Sequence, residues 1–266
     1  MDFEKKDFYD INDLLNIVAL LRDKDNGCDW DKVQTHQSIR QNFIEETYEA
    51  VDAIDKNDKE LLQEELGDVL LQVLLHAQFE KEEGSFDFEQ VVNGLAQKLV
   101  LRHPHVFKSE KLNGTQEILN KWEEIKNASH GHNTVSRTLN AVPAAFPALM
   151  YAQKIQKRMQ AGKLPVPGRW QEIDNMIEIL QKMKQIPEEQ PLSRDDLAQL
   201  MFAAVDITRQ NHMDAEGVLS LYSRQIVQIF NVFENLALQN GIVFDKIEPV
   251  KLKKLWQQAQ ELDKKE

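Results

Sequence analysis

The sequence of 266 residues has a single cysteine, few signals for β-strands, no basic excess and no long apolar run. Cys28 alone cannot form an internal disulfide, and a reducing cytoplasm suits it best. The net charge of −12 argues against general binding to nucleic acid or anionic membranes, because both require a basic surface. Residues 69–77, the longest apolar run, are too few to span a bilayer, and the first residues do not resemble a signal peptide. We therefore expect a cytoplasmic protein.

Apolar residues recur at spacings of three and four along most of the chain, whereas alternation with a period of two is scarce. This pattern predicts an all-α fold. Residues 127–140 are poor in apolar side chains and rich in Ser, His, Gly, Asn and Thr, which is typical of a linker. The predicted organisation is an N-terminal module at 1–130, a linker at 131–147 and a C-terminal module at 148–266.

Five helices are predicted in the first module. The first spans about 10–22, the second begins near residue 38, the third ends near residue 82 and the fourth spans about 87–103. A short fifth helix holds Ile118, Leu119, Trp122 and Ile125. Asn57 with Glu60 resembles a capping box at the start of the third helix. That helix is apolar nearly all round between residues 66 and 77, which predicts a central, buried position. On the fourth helix we expect four apolar side chains to point inward: Val91, Val92, Leu95 and Leu99.

Two pairs of carboxylates, each with members three residues apart, are the most informative feature of the first module. Glu46 pairs with Glu49 on the second helix, and Glu65 pairs with Asp68 on the third. Two antiparallel helices would gather the four groups at one spot, where a divalent cation is needed to offset their repulsion. The arrangement suits Mg²⁺ and an enzyme that acts on nucleoside triphosphates. An ordinary solvated helix face is the alternative.

Further residues near this cluster could serve the same chemistry. Glu45 and Asp52 are candidates to position an attacking water, and Lys98 with Arg102, four residues apart, could bind phosphate oxygens or form a plain surface stripe. Trp30 and Trp122 could stack on a base or lie in a core. Two His-x-His segments, at 103–105 and 130–132, lack the further ligands that a transition metal would require.

The second half of the chain looks like a copy of the first that has lost its acids. In our alignment only Asp196 keeps a carboxylate, at the position of Glu65, although Glu178 could shift into register. The other acid positions hold Met176, Ile179 and Gln199, and the cation positions hold Gln225, Ile229 and Gln260. The C-terminal module is therefore predicted to be catalytically degenerate.

Several separated motifs occur in order along the chain: Asn26-Gly27-Cys28-Asp29-Trp30-Asp31-Lys32, Glu46-x-x-Glu49, Glu64-Glu65-Leu66-Gly67-Asp68, Arg102-His103-Pro104-His105-Val106-Phe107, Trp122-Glu123-Glu124-Ile125-Lys126 and Ala152-Gln153-Lys154-Ile155-Gln156-Lys157-Arg158. Together they resemble the MazG family of nucleoside triphosphate pyrophosphohydrolases. The resemblance implies tandem all-α MazG modules, a homodimer, and hydrolysis of NTPs or dNTPs to the monophosphate and pyrophosphate with Mg²⁺ or Mn²⁺. It also implies that Glu46, Glu49, Glu65 and Asp68 bind the metal and that Lys98, Arg102 and Lys126 reach the phosphates.

The departures in the second half leave two interpretations of function. In the first, the N-terminal module alone catalyses hydrolysis and the C-terminal module serves dimerisation or structure. In the second, the chain senses nucleotides as a helical regulatory protein without turnover.

Overall fold

The computed structural model describes residues 5–108, 111–129, 134–242 and 248–264, and the regular secondary structure in these ranges is entirely helical. The prediction of an all-α fold is confirmed. The chain divides into two compact units, Met1–Lys126 and Asn127–Glu266. None of the helices in the described ranges combines the length and apolar content needed to cross a bilayer.

The helices of the described ranges are numbered in chain order, and a short 3-10 helix lies at Asp31–Val33. Those that begin in the first unit are α1 (Ile11–Leu21), α2 (Arg40–Lys56), α3 (Lys59–Glu83), α4 (Phe88–Arg102), α5 (Pro104–Phe107) and α6 (Gly114–Ser129). Those of the second unit are α7 (Val135–Asn140), α8 (Ala148–Ala161), α9 (Arg169–Lys184), α10 (Arg194–Gln210), α11 (Ala215–Gln239) and α12 (Pro249–Asp263).

A two-residue connection reverses the chain between α2 and α3, so that the two helices form an antiparallel hairpin. The candidate site is built on this hairpin. Asn57 takes the left-handed conformation, with φ of 54°, and closes α2. Asp58 then caps α3 by accepting hydrogen bonds from the backbone of Glu60 and Leu61. The predicted cap at Asn57 is therefore wrong, because so short a turn needs a left-handed residue at the end of the first helix, a conformation that Asn tolerates.

The core of the first unit forms where α1, the start of α2 and the C-terminal half of α3 meet. Its buried side chains are Val18, Ile39, Leu74, Leu75 and Phe79. Burial on α3 begins only at Gln72, and Leu66 is 55% exposed. The predicted burial is therefore wrong for residues 66–71, which are exposed or only partly buried, and confirmed at Leu74, Leu75 and Ala77.

The face of α4 that we predicted to be buried is exposed. Val91, Val92, Leu95 and Leu99 are between 37% and 53% exposed. The amphipathic pattern of α4 correctly predicts a helix, which begins at Phe88 behind the capping residue Asp87. Its apolar stripe is left uncovered within the single chain.

Gly27 occupies a position where a side chain has no room. A Cβ atom there would lie 2.4 Å from the carbonyl oxygen of Asp23 and 2.5 Å from that of Leu21. We expect Gly27→Ala to lower the free energy of unfolding by about 3 kcal/mol or more, because backbone must move. Gly94→Ala, in the open middle of α4, should raise it by about 0.5–1 kcal/mol. Urea denaturation of both variants checks this, and equal stabilities would contradict it.

The second unit has its own core between α11 and α12, formed by Ile229, Phe233, Ala237, Leu255 and Ala259. Gln156 of α8 is 1% exposed and donates to the carbonyl of Phe202 on α10, with an N–O distance of 2.7 Å. Residues 131–147, predicted as a linker, contain α7, which packs on α8. The assignment of a separate function to each module stays a prediction.

Candidate functional site

The α2–α3 hairpin brings three of the predicted carboxylates together. Oxygen atoms of Glu46, Glu49 and Glu65 lie within 4.8 Å of one another. The spacing explains this, because Glu46 and Glu49 share one face of α2 and the antiparallel turn places Glu65 of α3 against that face. We call these three residues the carboxylate triad. Asp68, one turn after Glu65, lies outside it.

Two members of the triad, Glu46 and Glu65, have raised pKa values because of burial and of neighbouring negative charges. The pKa of Glu46 lies above its ordinary value because the group is partly buried and because the charges of Asp68 and Glu49 act on it. The pKa of Glu65 is raised by partial burial and then by the charges of Glu49 and Asp68. Asp68 therefore adds to the negative field of the triad although it is not one of the three.

The donor set fits a hard divalent cation. Carboxylate oxygens are the ligands that Mg²⁺ and Mn²⁺ prefer, and a positive charge would relieve the repulsion that raises the two pKa values. Within the described ranges, no other three residues of the types His, Cys, Asp and Glu come together closely enough to hold a metal ion. Glu46, Glu49 and Glu65 would hold the cation, with Asp68 beside them.

These shifts predict how the stability of the metal-free protein depends on pH. A carboxyl group with a raised pKa binds its proton more tightly in the folded state, so stability should rise as the pH falls from 7 towards about 5. Glu82 acts in the opposite direction, because its pKa is lowered by Arg22 and its contribution is lost at more acidic pH. Thermal denaturation in EDTA between pH 5 and 7 measures the net effect of these groups on Tm.

At pH 7, the addition of 5 mM Mg²⁺ should also raise Tm. A Tm that Mg²⁺ leaves unchanged would contradict the site.

Three of the predicted substrate residues come together at Trp122. The guanidinium carbon of Arg102 lies 5.4 Å from the centre of the Trp122 ring, and the Lys126 nitrogen lies 4.9 Å from it. Lys126 also lies 3.9 Å from Glu123. Lys98, one turn before Arg102, is exposed. The fold thus brings Arg102 and Lys126 together at Trp122, and the role of these cations and of Lys98 in phosphate binding stays a prediction.

The remaining candidates occupy more exposed positions. Glu45 is exposed and accepts a long hydrogen bond of 3.4 Å from Gln41, whereas Asp52 is paired with Lys56 at 2.5 Å. Trp30 is 56% exposed, so its alternative interpretation as a core residue is wrong. Nδ1 of His103 lies 2.6 Å from the carbonyl oxygen of Leu99.

The second His-x-His segment, at residues 130–132, lies outside the described residues.

Sequence reasoning missed two polar clusters in the first unit. One joins His36, His76 and Glu80, in which the two Nδ1 atoms are 2.6 Å apart and Nε2 of His36 lies 2.8 Å from Glu80. Burial, followed by the charge of His36, lowers the pKa of His76. The other joins Arg22 to Glu82. The sequence could have indicated that Arg22 is buried, because Arg22 follows α1 and lies four residues after Val18, on the same helical face.

The second unit has a groove between α9 and α10 with a volume of about 560 Å³. Its lining includes Glu172, Glu178 and Gln199. Asp196, the only carboxylate that our alignment retained, is 6% exposed and paired with Lys182 at 2.9 Å. The alignment did not identify Glu172 as a lining residue of this groove, whereas Glu178, which it allowed to shift into register, does line it.

Comparison with known proteins agrees with this architecture. The MazG nucleotide pyrophosphohydrolase domain matches residues 34–107, the stretch that carries the triad, Asp68 and Arg102. The nucleoside triphosphate pyrophosphohydrolase of Escherichia coli K12 is 36% identical over 262 residues, which cover 95% of this chain and 98% of that protein. The nucleoside triphosphate pyrophosphohydrolase/pyrophosphatase MazG of Thermotoga maritima is 35% identical over 251 residues, covering 93% and 94%.

A third relative, the uncharacterized protein YabN of Bacillus subtilis, is 36% identical over 265 residues, which make up 98% of this chain and 54% of YabN. The chain belongs to the MazG family of nucleotide pyrophosphohydrolases. The predictions of this family and of a hydrolase are confirmed.

Proposed function

We propose that this chain hydrolyses nucleoside triphosphates or deoxynucleoside triphosphates to the monophosphate and pyrophosphate, using Mg²⁺ or Mn²⁺ held by the first unit. The carboxylate triad carries the proposal, because it is a ready set of ligands for a hard cation in a chain of this family. The names of the relatives from E. coli and T. maritima support the triphosphate as substrate. The ion pair at Asp196 argues against a second metal centre in the second unit.

The side chains of the first unit divide the work of the reaction. When bound, the cation neutralises phosphate charge and lowers the pKa of a coordinated water. Glu45 is the better candidate to accept the proton of the attacking water, because Asp52 is already paired with Lys56. The oxygen of that water forms a bond to phosphorus as the α–β anhydride bond breaks, and pyrophosphate leaves.

The cluster at Trp122 supplies the complementary contacts to the substrate. Arg102 can hold two phosphate oxygens at once, and Lys98 and Lys126 add point charges. Trp122 and the exposed Trp30 offer aromatic faces on which a base can stack. In a chain with a net charge of −12, such a local set of cations is needed to hold an anionic substrate.

We also propose that two copies of the chain form a homodimer in the cytoplasm. The exposed apolar stripe of α4, with Val92, Leu95 and Leu99 each more than 45% exposed, supports a partner surface. A second copy is the partner that the family resemblance implies. The single exposed thiol of Cys28 fits a reducing compartment.

Product analysis with two substrate analogues tests the proposed reaction. We expect ATP and dATP with Mg²⁺ to give the monophosphate and pyrophosphate. β,γ-methylene-ATP should also be cleaved, giving AMP and methylenediphosphonate, whereas α,β-methylene-ATP should be inert. Formation of ADP together with inorganic phosphate from ATP would contradict the predicted bond cleavage. Tight binding of ATP without any product would favour the nucleotide-sensing interpretation.

A further inference from the structure

Gln72 of α3 is a buried side chain with an unused hydrogen-bond acceptor. It is 5% exposed, and its amide oxygen has no hydrogen-bond partner among the described residues. Such an oxygen is costly, because burial removes its hydrogen bonds to water and nothing in the protein replaces them. Groups of this kind are uncommon in folded proteins, and each calls for an explanation in function or in a ligand.

Helical spacing places Gln72 next to the carboxylate triad. Gln72 follows Asp68 by four residues, so it lies one turn further along the same face of α3, about 6 Å along the helix axis. Helical side chains are tilted towards the N-terminus of their helix. The amide of Gln72 is therefore tilted towards the turn that carries Glu65 and Asp68.

Contacts across the hairpin show which part of α2 lies opposite Gln72. On one side of it, the charge of Asp68 adds to the effect of partial burial in raising the pKa of Glu46, so these two carboxylates are close. On the other side, the ring of His76 lies 5.5 Å from that of Phe43. Gln72 lies midway between Asp68 and His76, and is therefore opposite the turn of α2 that joins Phe43 to Glu46.

The second unit indicates that the hairpin does not need a glutamine at this position. In our alignment Gln199 takes the position of Asp68, and Ala203 therefore takes that of Gln72. Ala203 lies on α10, which packs on α9, and is 4% exposed. The amide is thus missing from the copy that has also lost most of the acids, which favours a role in the chemistry of the first unit over one in helix packing.

The unused acceptor requires a donor that the neighbouring carboxylates cannot supply. When ionised, Glu46, Glu65 and Asp68 only accept hydrogen bonds. Mg²⁺ usually keeps several water ligands when carboxylates bind it, and these waters are donors. Side chains that hold the ligands of a metal ion by hydrogen bonds commonly change its affinity by about 10- to 100-fold.

We propose that Gln72 is a positioning residue whose amide oxygen accepts a hydrogen bond from a water molecule on the cation held by the triad. The inference rests on the proposed function for its metal site, but it requires no nucleotide. Gln72 touches neither the cation nor the substrate. It fixes a water ligand and thereby the position of the ion between α2 and α3.

Titration with Mn²⁺ alone, followed by electron paramagnetic resonance at pH 7, tests this role. We expect Gln72→Met, which keeps the length of the side chain but loses the acceptor, to weaken Mn²⁺ binding about 10-fold. Gln72→Glu keeps an acceptor oxygen and should bind Mn²⁺ at least as tightly as wild type. Wild-type affinity in Gln72→Met, or an equal loss of affinity in both variants, would overturn the inference.

Gln156→Met is the matched control, because it removes another buried glutamine. Gln156 lies in the second unit, is 1% exposed and also has an amide oxygen without a partner, although its amide nitrogen donates to Phe202. Mn²⁺ binding by Gln156→Met should equal that of wild type. Weaker binding in this control, matching the loss in Gln72→Met, would show that the loss does not depend on the triad and would overturn the proposal.

The stability of the metal-free protein separates positioning from a structural role. In EDTA, Gln72→Met should have a Tm no lower than that of wild type, because it removes a buried acceptor that no protein group satisfies. A structural glutamine would instead lower Tm when it is lost. A clear fall in the Tm of Gln72→Met would therefore contradict the role that we assign to it.

The outcomes also distinguish this inference from the proposed function. A wild-type protein that binds Mn²⁺ but does not hydrolyse ATP would contradict the hydrolytic function and leave the role of Gln72 unaffected. Normal hydrolysis by wild type, with unaltered Mn²⁺ binding in Gln72→Met, would overturn the inference alone. A wild-type protein that does not bind Mn²⁺ would overturn both.

Discussion

Glu49→Gln is expected to lower kcat/KM for a triphosphate by about 100-fold or more, because it removes one of three gathered carboxylates and with it much of the affinity for the cation. The same change should raise the Tm of the metal-free protein. The charge of Glu49 acts on both Glu46 and Glu65 and helps to raise their pKa values, so its removal relieves repulsion. Activity and stability should thus move in opposite directions, as measured by steady-state kinetics and by thermal denaturation in EDTA.

Glu60→Gln is the matched control for that experiment. Glu60 is exposed in the first turn of α3, and its substitution removes the same charge. Activity should stay at the wild-type level, and Tm should fall slightly, because a carboxylate at this end of a helix interacts favourably with the helix dipole. Two results would show that the triad is not a metal site. One is wild-type activity of Glu49→Gln, and the other is a lower Tm of this variant in EDTA, as for an ordinary destabilising mutation.

Arg102→Ala is expected to lower kcat/KM by about 100-fold, since truncating a charged hydrogen-bonding partner of a buried anion commonly costs 2–5 kcal/mol. Arg102→Lys should recover only part of the loss, because lysine keeps the charge but not the bidentate geometry of the guanidinium that lies over the Trp122 ring. Kinetics with ATP over a range of ionic strengths would show both effects. The Mg²⁺ concentration required for half-maximal activity should stay unchanged.

Lys108→Ala provides the comparison for a cation in the same part of the chain. Lys108 is exposed just after α5, and its loss should change kcat/KM by less than about twofold. An Arg102→Ala variant as active as Lys108→Ala would show that the cluster at Trp122 does not bind phosphate.

The α2–α3 hairpin shows how far sequence alone can lead. Helical spacing predicted that Glu46 and Glu49 share a face, and the short Asn57-Asp58 connection implied that Glu65 would meet them. Both inferences need only local geometry, and the structure brings the three carboxylates together. The position of Asp68 outside the triad depends on the relative rotation of the two helices, which spacing does not define.

Features that depend on tertiary contacts could not be predicted in this way. The stripe on α4 was expected to be buried because an amphipathic pattern shows that a face is apolar without showing what covers it. The bond between Arg22 and Glu82 joins residues 60 positions apart, and the pairing of Asp196 with Lys182 depends on a long connection of undefined register. In each case the missing information was which element, if any, packs against a given helix face.

Mn²⁺ binding measured by electron paramagnetic resonance tests the central claim most directly, because it reports the cation without requiring turnover. Wild type, Glu49→Gln in the first unit and Glu178→Gln in the second are titrated at pH 7 with Mn²⁺ alone, because a triphosphate would itself bind the ion. We predict that Glu178→Gln binds Mn²⁺ as wild type does and that Glu49→Gln loses most of the bound ion. Retention of Mn²⁺ by Glu49→Gln together with its loss in Glu178→Gln would contradict a metal centre in the first unit.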